Sequence, residues 1–291
     1  MMKPAHILLA LLVALIWGVN FTIIRVGLGS FPPLLLAALR FVVAALPVFF
    51  LPRPDLPWSR LLAVGATLFL GQFAFLFTGM KLGMPPGLAS VLLQSQAFMT
   101  ILIAAIVLHE MPSRRQIIGT LVALCGLAVI ANTVGGADFT VIGLIFCLAS
   151  ALCWACGNVL LRGVGKVDML ALVSWLSLLQ PVPLFILSLA FEGPEVVIGA
   201  LASMNWSGVG SVLYIAVLST TIGFAIWSRL LAQYSAATVA PFSLLVPIFG
   251  TTSAALFLGE TFGAARIAGM ILIFLGLVVV VLPLERILRR S

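Results

Sequence analysis

From Pro86 to Leu108 the chain runs through 23 residues without a single charge. A hydrocarbon core ~30 Å thick is crossed by ~20 apolar residues in a helix. Comparable runs fall at about 5 to 26, 32 to 51, 61 to 80, 86 to 108, 116 to 134, 140 to 161, 169 to 190, 207 to 228, 236 to 258 and 265 to 284, read as apolar periods bounded by turn residues. The punctuation between them is short: Phe31-Pro32-Pro33, Pro52 to Pro57, Pro85-Pro86-Gly87, Gly135-Gly136 and Gly193-Pro194. The sequence predicts an all-α membrane protein of ten transmembrane helices. No stretch is left over for a soluble domain.

Composition excludes the other classes. Charged residues make up 8% and hydrophobic ones 63%, against ~25% charged in soluble domains. The net charge of +7 comes from basic residues scattered between apolar runs, which form no stripe for a phosphate backbone, so no nucleic acid is expected. Cys125, Cys147, Cys153 and Cys156 all lie in apolar runs, where C-x-x-C reads as small packing residues rather than a redox pair. The start, MMKPAHILLALLVALIWG, continues into NFTIIRVG without an A-x-A-like cleavage site, and is read as the first span.

The chain is duplicated. Aligning Glu110 with Glu260, an offset of 150, also matches Gly119 to Gly269 and Gly126 to Gly276, while Trp17 and Arg25 recur as Trp154 and Arg162 at an offset of 137. Five helices therefore repeat as five, residues 1–135 and 136–291. Five is odd, so the second repeat runs through the membrane inverted, as in secondary transporters whose substrate site lies near the midplane between repeats. Cytoplasmic loops collect Lys and Arg. With both termini cytoplasmic, eleven basic residues (Lys3, Arg53, Arg60, Arg114, Arg115, Arg162, Lys166, Arg229, Arg286, Arg289, Arg290) lie inside and three (Arg25, Lys81, Arg266) outside.

Candidate site residues are the polar groups within spans. Arg40 is the only charge well inside one. It reads either as an anion contact in a cavity or as a structural cation bonding neighbouring carbonyls. Asn20, Gln72, Gln94, Gln96, Asn158 and Ser243 follow. Residues two apart on a helix point about 200° apart, so Gln94, which shares a face with Phe98, is the candidate contact and Gln96 packs against a neighbour. Trp17 and Trp154 stand out from the other span aromatics because they are repeated; Tyr214 and Trp227 complete the expected lining. Pro181 and Pro183 in the seventh span and Pro241 and Pro247 in the ninth predict bends.

No Asp or Glu falls within a span, and His6 and His109 lie near the surfaces. The chain thus offers no buried relay, which predicts facilitated movement rather than tight proton coupling. There is no Walker A sequence, no H-E-x-x-H, no G-x-S-x-G and no intramembrane aspartate pair. No ATP motor, enzyme activity, cofactor or metal is expected.

The strings WGVNFTIIRVG, PPLLLAALRF, GQFAFLF, GMPPGLASVLLQSQAF, WACGN, APFSLLVPIFG and LGETF occur in this order. They resemble the EamA family of the drug/metabolite transporter superfamily over nearly the whole chain, most strongly its bacterial exporters of O-acetylserine and cysteine. The resemblance implies two inverted EamA repeats around a central cavity, a multi-pass place in the bacterial inner (plasma) membrane, and export of small amino acids or their metabolites by alternating access. The family's recurrent marks fall on Trp17, Gly18, Asn20, Arg40, Phe41, Glu110 and Glu260. One departure stands out: the first repeat closes with His109-Glu110 where the second has Gly259-Glu260. A small zwitterion suits amides, indoles and one arginine. The expected partners are that substrate and the lipid bilayer, with the protein a monomer or weak dimer. The alternatives are an exporter of aromatic or other amino acids or of drugs, and a membrane scaffold or sensor without flux.

Overall fold

The computed structural model describes residues 2–133, 139–162, 167–234 and 236–281, with backbone alone at 236, 237, 240 and 281. Gly135-Gly136, the expected boundary between repeats, Asp138, Lys166, Glu285, Arg286, Arg289 and Arg290 lie outside the described residues. Among the described residues ten long helices carry the fold: α1 Pro4–Gly27, α2 Pro33–Phe50, α3 Trp58–Lys81, α4 Pro86–Val107, α5 Arg114–Ala131, α6 Val141–Leu161, α7 Met169–Phe191, α8 Trp206–Gln233, α9 Pro241–Leu258 and α10 Ala264–Val281. Among the described residues there are no strands, and the first nine helices are each long and apolar enough to span. Side chains such as Phe49, Phe50, Ile106, Leu256 and Phe257 are largely exposed, a surface compatible with lipid rather than water.

Helix starts follow local chemistry. Proline opens α1, α2 and α4, where its missing N–H costs nothing. Ser113 and Gln116 form a capping box on α5, while Thr140, Asp168 and Asn205 cap α6, α7 and α8. For α2 the acceptor comes from far away. The N–H groups of Leu34 and Leu35 donate to the Glu192 carboxylate at 2.7 and 3.2 Å, and Ser188 Oγ donates to it at 2.6 Å. Replacing the carboxylate with Glu192→Ala should cost about 1–2 kcal/mol, as for a lost N-cap. A melting temperature a few degrees lower in detergent is the expected readout.

The two repeats are interleaved. In each, the first helix lies against the third and fourth helices of the other repeat: α1 on α8 and α9, α6 on α3 and α4. Helices α2 and α7 pair, and so do α5 and α10. In the last pair a Cβ on Gly119 would stand 2.7 Å from the Gly276 carbonyl oxygen, and one on Gly126 would stand 2.6 Å from that of Gly269. Glycines that correspond between repeats thus cross over in an antiparallel seam. Such close approach of small residues is how helices associate in lipid, where no hydrophobic force brings them together.

The repeats also share their irregularities. Wide π turns occupy Gly65–Gly71 in α3 and Tyr214–Ile222 in α8, and tight 3-10 turns occupy Leu93–Ser95 in α4 and Ala240–Leu244 at α9. The uncharged run predicts a continuous α4. Instead Ser90 and Ser95 each donate to the carbonyl three residues back, at 2.6 Å, a bond that competes with the α-helical ladder. A 3-10 turn advances 120° per residue, so the directions of Gln94 and Gln96 no longer follow the α-helical angle. Prolines act similarly elsewhere: α2 becomes 3-10 at Leu46–Phe50 around Pro47, and α7 is interrupted between Leu178 and Pro181. Finally, His109 has φ 54° where Gly259 has 68°. The two closing turns therefore share one left-handed conformation, which costs the non-glycine residue about 1 kcal/mol.

Candidate substrate site

The chemistry concentrates where α2 meets the π turn of α8. A π turn leaves carbonyls without their usual partners, and hydroxyls fill in: Thr220 Oγ1 donates to Ile215 O at 2.8 Å and Thr221 Oγ1 to Ala216 O at 3.2 Å. The Ser219 carbonyl accepts the Trp17 indole N–H at 2.9 Å. Trp17 in turn packs between Phe224 and Trp227, with ring centroids 5.4 and 5.2 Å away. Tyr214 donates to the Ile16 carbonyl at 3.0 Å. This aromatic cluster joins α1 to α8, so it ties the two repeats together at the level of the irregular turn.

Arg40 reaches the same turn. Its Nη2 donates to Thr220 Oγ1 at 2.7 Å, and its guanidinium carbon lies 3.8 Å from the Phe73 centroid and 4.7 Å from that of Phe41. Desolvated cation–π contacts are worth about 2 kcal/mol. Arg40 is 3% exposed, however, and its Nε and Nη1 have no hydrogen-bond partner among the described residues. Unmet buried donors cost roughly 1–3 kcal/mol each, more when charged. Asn20 Oδ1 and Gln72 Nε2 are unpartnered in the same way. Among the described residues only Thr120 and Ser177 add buried side chains of this kind. A free guanidinium N–H can donate a charge-assisted hydrogen bond to a carboxylate oxygen.

The other expected residues are placed differently. Asn158 donates to Gln96 Oε1 at 2.8 Å and to Thr100 Oγ1 at 3.3 Å, bonds that join α6 to α4. Phe98 is buried, and Gln94 and Trp154 are half-buried. A cleft of about 430 Å³ opens at one end of the bundle, lined by Arg25, Pro85, Glu260, Thr261, Phe262 and Arg266 among others, and by none of the ten candidates. Sequence gives no signal for that cleft: Arg25 reads as a repeat mark at the end of a span and Arg266 as a basic residue on the outer side. Thr220 was missed because a threonine in a span gives no signal until the π turn orients it.

At the cleft, the Gly87 N–H donates to Glu260 Oε2 at 3.1 Å, so Glu260 caps α4. Burial pushes the Glu260 carboxyl above its ordinary value, while the Gly87 N–H, Arg25 and Arg266 pull it back. At the other end of the bundle, which carries Arg60, Arg114 and Arg162 and is called here the basic face, Glu110 forms an ion pair with Arg162.

Comparison with known proteins decides the family. The sequence pattern of the EamA-like transporter family matches residues 5–132 and 141–282. The chain belongs to this family. As an EamA protein it is a multi-pass membrane transporter of two repeats, in agreement with the reading of its fold. It is similar to the "Probable amino-acid metabolite efflux pump" of Salmonella typhimurium, 42% identical over 275 residues and 92% of each chain. The Escherichia coli protein of the same description is 40% identical over 95% of each chain. A "Probable terminal-alkyne amino-acid exporter" of Streptantibioticus cattleyicolor is 28% identical over 94% of each. A solved crystal structure 20% identical to this EamA chain has a TM-score of 0.66 over the whole of both chains, which supports the fold.

Proposed function

We propose that this protein exports small zwitterionic amino-acid-like metabolites, such as cysteine or O-acetylserine, across a bacterial inner membrane by alternating access. In this reading both termini and the basic face are cytoplasmic, following the loop charges, and Glu260 ends at the outer surface. The observation that carries it is Arg40: a buried guanidinium with Nε and Nη1 unpartnered, laid on Phe73 and steadied by Thr220. A substrate carboxylate would accept from one of these donors, which lie on different edges of the guanidinium, and meet its positive charge. Asn20 Oδ1 and Gln72 Nε2, buried and unpartnered as well, are the amide partners for an ammonium and a polar side chain. Trp17, Tyr214 and Trp227, clustered between α1 and α8, and Gln94, Phe98, Trp154 and Asn158 on α4 and α6 are proposed to complete the lining. The names of the relatives, which mention amino acids, favour this substrate class.

Purified protein in liposomes loaded with labelled cysteine or O-acetylserine should release them faster than protein-free liposomes do, in a saturable manner. An imposed pH gradient should leave the rate unchanged, since none of the eight carboxylates lies within an expected span. Release of ethidium but of no amino acid would replace the substrate class with hydrophobic cations. No flux of any solute would leave a scaffold or sensor.

A further inference from the structure

The duplication and the two ends of the bundle contain a relation that neither shows alone. Arg25 and Arg162 occupy equivalent places at the ends of α1 and α6, and Glu110 and Glu260 equivalent places after α4 and α9. On the basic face, Glu110 of the first repeat holds Arg162 of the second. On the opposite face, Glu260 of the second repeat and Arg25 of the first line one cleft, but there the residues have other partners. The Arg25 guanidinium donates to the Met80 carbonyl at 3.2 Å, and Glu260 accepts from Gly87 N–H. Among the described residues the Glu110–Arg162 pair is the only ion pair.

We propose that Glu110 with Arg162 and Glu260 with Arg25 are two crosswise clasps, one on each face, that engage in alternation as the transporter opens to one side and then the other. Each clasp joins opposite repeats, so rocking one repeat against the other must shorten one and lengthen the other. The geometry fits a state closed at the basic face and open at the cleft. The engaged pair is about half exposed, 44% for Arg162 and 50% for Glu110, and an exposed pair shifts an equilibrium only a few-fold. A clasp meant to release in every cycle needs that weakness; a deeply buried pair would stall the protein in one state. Arg266 also lines the cleft, but its guanidinium lies 5.4 Å from the Phe139 centroid. At the same offset of 150 its counterpart is Gln116, a neutral residue used in capping α5. It therefore belongs to one face only.

The proposal rests on the transporter reading but not on the identity of the substrate, so it is tested without substrate, on the full chain in detergent. Thr261, which lines the cleft, is replaced in the variant Thr261→Cys and labelled with a sulfonated maleimide, using the parent as blank for the four native cysteines. Adding Arg162→Gln should slow labelling about two- to fivefold, because loss of the engaged clasp lets the cleft close more often. Adding Glu260→Gln should leave labelling unchanged or faster. The swap Glu110→Arg with Arg162→Glu should restore the original rate. If Arg162→Gln fails to give monodisperse protein, Glu110→Gln takes its place with the same expectation. Unchanged labelling in Arg162→Gln, or in Glu110→Gln where it takes its place, slower labelling in Glu260→Gln, or a folded swap that fails to restore the rate overturns the proposal. Failure here with active flux in liposomes would leave the substrate reading standing.

Discussion

Gly126→Leu is expected to yield no monodisperse protein. A Cβ at this position would stand 2.6 Å from the Gly269 carbonyl oxygen, 2.8 Å from the Ile273 nitrogen and 2.8 Å from the Leu272 Cβ. Two of these atoms are backbone and the third is fixed to it, so no side-chain rotation makes room. Overpacking a well-packed interior costs about 1–3 kcal/mol when neighbours can adjust. Here the whole of α10 must move away from α5, and the loss should reach the upper end of that range or beyond it. Against a total stability of ~5–15 kcal/mol this is disabling. Size-exclusion profiles in mild detergent check it, with Gly199→Ala as control because nothing lies within 4 Å of a Cβ there. A monodisperse Gly126→Leu protein melting at the parent temperature would show that the seam does not hold the helices at this distance.

Arg40→Gln should fold and yet lose most transport. Folding survives because the substitution removes a buried cation and two unpartnered donors along with the Thr220 bond and the contact with Phe73. An uncompensated buried charge carries a desolvation cost that the neutral amide avoids. Transport suffers because a charge-assisted hydrogen bond is worth about 1.5–3 kcal/mol, which corresponds to a roughly tenfold to hundredfold weaker hold on a carboxylate. Efflux from loaded liposomes measures the loss, and folded yield is scored on the same preparation. Normal flux would remove Arg40 from the site; loss of folded protein would make it a structural cation. Arg40→Lys separates charge from geometry, since an ammonium keeps the charge and loses the planar array of donors.

Much of this architecture was readable before any coordinates. Apolar runs bounded by Pro and Gly locate the helices because lipid leaves the backbone little choice, and an odd number of helices per repeat forces the inversion. Arg40, Asn20 and Gln72 stand out in a sequence because polar groups in spans are costly. The same three turned out to have unpartnered atoms. What escaped is what depends on positions far apart in the chain. Glu192 serves α2 from more than 150 residues away, and no capping pattern announces it. The interleaving of α1 with α8 and α9 leaves no trace in hydropathy. The π turns of α3 and α8 escaped as well, because a single extra residue in a turn looks the same in sequence as a regular helix. They matter to the site: the turn in α8 supplies both the hydroxyl that meets Arg40 and the carbonyl that meets Trp17.

The seam between α5 and α10 also bears on how such a chain can drift over time. Where two helices touch through Gly119, Gly126, Gly269 and Gly276, the fit depends on the lack of side chains and not on matching shapes. Their outward residues, among them Ile117, Ile118, Leu121, Leu124, Ile267, Ile271 and Leu275, are exposed to the surroundings and need only be apolar. Descendants of this chain are therefore expected to exchange those residues freely while the four glycines stay fixed, so that the helices with the loosest alphabets meet along the strictest line in the molecule.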